Sequence, residues 1–73
     1  GMFDYVTVYD SVYLSALSHE LRIDLQELCD LNSALIKQVT PPHKEYTLRF
    51  PEGMKDSAAY ALSQMGYLTK TSS

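Results

Sequence analysis

The side chains able to do chemistry in this sequence are few, and their spacing withholds it. His19-Glu20 begins like the helical zinc motif His-Glu-x-x-His, in which two histidines one turn apart hold the metal and the glutamate activates water. Position 23 is Ile, so the second ligand is missing. The other histidine, His43, lies in a proline-flanked loop far along the chain. The single cysteine, Cys29, excludes an internal disulfide and any cysteine-rich zinc site. Its neighbours Glu27 and Asp30 disfavour a thiolate, and a small buried hydrophobe beside Leu28 is the expected role. Glu20, Glu27, Asp30 and Glu52 are spread singly, whereas glycoside cleavage needs two carboxyl groups held close together in a cleft. Neither common glycine-rich phosphate loop occurs. The sequence predicts no catalytic residue, no metal site and no cofactor.

Tyrosine is the richer resource. Tyr5, Tyr9, Tyr13, Tyr46, Tyr60 and Tyr67 each offer a flat apolar face and a hydroxyl, which suits sugar rings and protein interfaces alike. Tyr46 alternates with Leu48 and Phe50 and reads as core.

What positions these residues is a small scaffold. The chain has 73 residues, which is one domain or one piece of a larger protein. At that size folding buries roughly 60% of the unfolded chain's surface, so the core is thin. A hydrophobic content of 45% excludes disorder. The apolar runs are too short to span a membrane. Gly1 ahead of Met2 reads as a tag remnant and the chain as an excised domain. A net charge of −3 disfavours a polyanionic partner.

FDYVTVY, residues 3 to 9, reads as a strand with Asp4, Val6 and Val8 on one face and Phe3, Tyr5 and Tyr9 on the other. Asp10 and Ser11 offer to cap a helix opening near Val12, along which Leu14, Leu17 and Leu21 recur at helical spacing. Asp24, followed by Glu27, predicts a second helix with Leu25, Leu28 and Leu31 on its apolar side and Asn32 as its stop. EYTLRF alternates again, with Tyr46, Leu48 and Phe50 opposed to Thr47 and Arg49, until Pro51 ends it. A last helix is expected from about Ser57 to Met65, capped by Asp56 and stopped by Gly66. The order is β-α-α-β in the α+β class: a two-stranded antiparallel sheet packed on two helices, plus a short C-terminal helix. Leu14, Leu17, Leu21, Ile23, Leu25, Leu28 and Leu48 are the expected core.

Two helices joined by a tight turn also describe a helix-turn-helix. The helix that would enter the groove displays Asp24, Glu27 and Asp30, which repel phosphate, and Lys37 and Lys44 lie beyond it. No nucleic-acid partner is expected.

The β-α-α-β order resembles the LysM fold. FDYVTV, IDLQEL with LNSAL after it, TPP at 40 to 42 and YTLRFPEG at 46 to 53 are similar to the LysM-like segment of bacterial membrane-bound lytic murein transglycosylases of the D type. That resemblance implies a LysM-like domain over residues 3–53, a helical extension over 54–68 and a frayed tail over 69–73. It implies an accessory module, not itself an enzyme, in the periplasm or cell envelope, whose partner is peptidoglycan or a chitin-like glycan. The parent's catalytic domain is a further partner, and no membrane insertion by this segment is expected. The glycan groove it implies has Tyr9, Asp10, Ser11 and Val12 on one wall and Asn32, Ser33, Ala34, Leu35 and Ile36 on the other. Short polar side chains and backbone groups would bond the acetamide, with Val12, Leu35 or Ile36 on its methyl. An interaction or spacer domain of the same fold that binds no sugar is the alternative.

Overall fold

Residues that alternate apolar and polar bury one face when two such segments pair. In the computed structural model, which describes residues 2–71, FDYVTV and YTLRFP do so as β1 (Phe3–Val8) and β2 (Tyr46–Pro51). They run antiparallel with Val6 opposite Leu48 and Asp4 opposite Phe50. Val6, Val8, Leu48 and Phe50 are fully buried. Thr7 and Thr47 face outward, their hydroxyls sharing a hydrogen bond of 2.8 Å.

Helices α1 (Leu14–Leu21) and α2 (Leu25–Leu31) cover the inner face. Asp24 caps α2 as expected, its carboxylate accepting from the Glu27 N–H at 3.3 Å, and Asn32 ends it. The start of α1 differs from expectation. The helix opens at Leu14 behind Tyr13, with no side-chain cap from Asp10 or Ser11. The backbone supplies the acceptor instead: the Leu14 N–H donates to the Gln38 carbonyl at 3.0 Å. Val12 stays outside the helix and is fully buried.

The third helix is also displaced, to α3 (Lys55–Gln64), and Asp56 lies in its first turn without capping it. The cap comes from β1. Asp4 Oδ2 accepts from the N–H groups of Gly53 and Lys55, each at 2.9 Å. Gly66 stops the helix as predicted, at φ 92°.

Beyond Gly66, the expected two-stranded sheet gains a third strand. Residues Thr69–Thr71, read from sequence as frayed, form β3 antiparallel to β1, with Val8 opposite Thr69 and Val6 opposite Thr71. Ser72 and Ser73, the rest of that segment, lie outside the described residues, as does Gly1. The strand order is β2-β1-β3, so β1 has both edges paired.

Four of the seven expected core residues, Leu14, Leu17, Leu28 and Leu48, are fully buried. Leu21, Ile23 and Leu25 are half-buried and packed against them. Val12 and three residues of α3, Ala58, Ala61 and Leu62, complete the same core. The helical extension is thus packed into the interior and does not trail from it.

Candidate functional site

The loop entering α1 is held by one buried hydroxyl. Thr40 Oγ1 accepts from the Val12 N–H at 2.7 Å and donates to the Asp10 carbonyl at 2.6 Å. The Thr40 N–H returns to the Val12 carbonyl at 3.1 Å, and Tyr13 bridges to Val39. Residues 38 to 40 are thereby zipped along residues 10 to 14. The Asp10 side chain stays exposed and accepts from the N–H groups of Ser11 (2.8 Å) and His43 (3.3 Å). These two donors, with the His43 ring 3.9 Å away, hold its carboxyl below the usual carboxylate range. The Tyr67 hydroxyl donates to the Ser11 carbonyl at 2.7 Å, tying the C-terminal extension to the same loop.

The loop leaving α2 is built differently. Asn32 is only 5% exposed, and its carboxamide is engaged on both sides. Nδ2 donates to the carbonyls of Leu28 and Arg49, and Oδ1 accepts from the Arg49 N–H, all at 2.9 Å. The side chain therefore imitates a peptide group, closing the end of α2 onto the outer edge of β2. Ser33 and Ala34 are exposed, Leu35 leans on the core, and Ile36 is 89% exposed. Successive turns carry this loop back, through N–H donation from Leu35 to Asn32 and from Gln38 to Leu35, each at 2.9 Å.

The two expected walls line separate recesses. Asn32, Ser33 and Ala34 border one of about 300 Å³ with Leu31, Tyr5, Tyr46, Thr47 and Arg49. Tyr9 and Asp10 border another of about 310 Å³ with Gly66, Tyr67 and Leu68. Ser11, Val12, Leu35 and Ile36 line neither. Arg49 borders the first recess, with its guanidinium carbon 5.9 Å from the ring centre of Tyr5, another lining residue, and 4.8 Å from that of Phe3, which lies outside the lining.

Sequence reasoning put Tyr5 on the strand face opposite Val6 and Arg49 on the face opposite Leu48 but did not count them as site residues. The signal was the alternation itself, since both strands turn these residues the same way and the register sets Tyr5 opposite Arg49. Tyr67 and Thr40 gave no comparable signal. Their partners lie 56 residues away for Tyr67 and 28 and 30 for Thr40.

Among the described residues no group of three or more His, Cys, Asp or Glu is arranged to hold a metal ion, and no helix is long and apolar enough to cross a membrane. A family model described as "Lytic transglycosylase MltD, LysM-like domain" matches residues 2–67. No curated protein and no solved structure matches the chain significantly.

Proposed function

The chain belongs to the LysM-like domain family of the lytic transglycosylase MltD, and from that membership we propose that it is a non-catalytic module holding a murein-degrading enzyme on its polymer. The family match over residues 2–67 carries the proposal. The ligand class is peptidoglycan or another N-acetylglucosamine-containing glycan, and the setting is the periplasm or cell envelope. Exposed Ser33 and Ala34, with aromatic Tyr5 and Tyr46 beside them, support a sugar contact at the first recess. Tyr9 and Asp10 offer an aromatic face and a hydrogen-bonding carboxylate at the second.

NMR titration with chitin oligomers and soluble murein fragments tests this. Shifts confined to residues 9 to 12 and 32 to 36 and the recesses they border are expected. The absence of any shift at millimolar sugar would refute glycan binding. The same purified domain should release no soluble anhydro-muropeptides from peptidoglycan, and their appearance would refute the non-catalytic role.

One observation favours a second reading. Asn32 and the Ser11 carbonyl, one on each expected wall, already have protein partners. A spacer that packs on the parent's catalytic domain and binds no sugar would keep those bonds. Silence in the titration, with the fold intact, selects that role.

A further inference from the structure

The recess beside β2 has a charge that recognition of a neutral glycan does not require. Eight residues line it, and the one charged residue among them is the cation Arg49, in a chain of net charge −3. The guanidinium carbon lies over the Phe3 ring at 4.8 Å and the Tyr5 ring at 5.9 Å from their centres, contacts that consume none of its N–H donors. Among the described residues no carboxylate pairs with it.

The adjoining backbone narrows the ligand further. Arg49 turns its N–H and C=O away from β1 to Asn32, so antiparallel alternation turns Thr47 and Pro51 outward as well. Asn32 occupies the edge at Arg49, and Pro51 has no N–H to offer. Within the strand, Thr47 alone keeps a donor and an acceptor facing outward. A ligand complementary to this edge brings one peptide group to Thr47 and a carboxylate to Arg49, about 7 Å further along.

We propose that this recess is a subsite for the short carboxylate-bearing peptide of peptidoglycan, seated beside Ser33 and Ala34. The proposal rests on the glycan-binding function above and adds the part of the polymer that chitin lacks. The planar guanidinium fork of Arg49 gives the geometry for a bidentate carboxylate contact.

The 73-residue chain is titrated by NMR with a chitin tetramer, with muramyl dipeptide, and with muramyl dipeptide whose free carboxylate has been converted to an amide. The dipeptide should shift the amides of Ser33, Thr47 and Arg49. The amide derivative should bind about two- to fivefold more weakly than the acid, the upper part of the range for an exposed charge pair. Arg49→Gln should lower affinity for the acid by the same factor and abolish the difference between acid and amide. The Asn32 contacts are to the main chain of residue 49, so this variant keeps them, and a melting curve checks its fold. Should Arg49→Gln unfold, the acid–amide comparison on the unaltered chain decides alone. Equal affinity for acid and amide overturns the subsite while leaving glycan binding in place, as does binding of the chitin tetramer alone. Failure of all three probes to bind overturns both.

Discussion

Replacing Asn32 with Ala should damage the fold before it touches any ligand. The substitution deletes three hydrogen bonds and leaves both backbone groups of Arg49 without partners. At about 0.5–1.5 kcal/mol for each net bond, the loss spans about 1.5–4.5 kcal/mol. Arg49 borders an open recess, so water can re-solvate its backbone and hold the loss to about 2–3 kcal/mol. A domain of this length has a total stability of roughly 4–11 kcal/mol. The melting temperature should therefore fall by roughly 10–20 °C, at about 4–8 °C per kcal/mol. Thermal melts followed by circular dichroism measure the fall, and hydrogen exchange reports the Arg49 amide directly. That amide should lose protection by more than the global destabilisation explains. An unchanged melting temperature with a still-protected Arg49 amide would refute the edge-closing role. It would return Asn32 to the list of side chains free to meet a sugar.

Three further outcomes follow from the packing and the caps. Leu28→Ala empties a fully buried site and should cost about 2–5 kcal/mol, read as a lower denaturant midpoint. Asp4→Ala should free the start of α3 and cost about 1 kcal/mol, with exchange quickening first at Gly53 and Lys55. Asp10 has a folded-state pKa below its ordinary 3.8, so its stabilisation is fully present above that value and is lost as pH falls through the lowered one. Asp10→Asn should flatten stability against pH in that acidic window, and an unaltered acid limb would show that its two N–H donors contribute nothing.

Short-range patterns in the sequence carried much of this architecture. Alternation put Val6 and Val8 on one face of β1 and Thr47 and Arg49 on the face of β2 opposite Leu48, because a pleated strand leaves each residue no other choice. The expected core nevertheless omits Val6 and Val8, which are both fully buried. The Asp24 cap acts on Glu27, three positions on, and a local rule finds it. The same rules failed wherever a side chain bonds a distant backbone. Asp4 caps a helix 51 residues further on, and Thr40 bonds the backbone of residues 10 and 12 outside α1, whose Leu14 N–H goes to the Gln38 carbonyl. Asn32 looked like an ordinary helix stop because its bond to Arg49 spans 17 residues. The TKT of β3 has no apolar alternation to announce a strand; it pairs because β1 has a second edge to satisfy. The site suffered more than the fold for the same reason. Its recesses join loop residues to a sheet face and to the extension, and those joins depend on tertiary register.

The third strand also governs how the molecule would respond to tension. β3 runs antiparallel to β1, and Thr71 comes to rest beside Val6, so the chain enters and leaves at the same end of two adjacent strands. A pull applied through those ends loads the β1–β3 hydrogen bonds one after another, as teeth of a zipper, where opposite ends would load them together in shear. Bonds that fail in sequence yield at low force. Peeling β3 would also draw on Tyr67, whose hydroxyl holds the Ser11 carbonyl. Mechanical load would thus reach the loop beside Tyr9 and Asp10 before it reached the core, making the module a compliant joint whose first site to change shape is its surface.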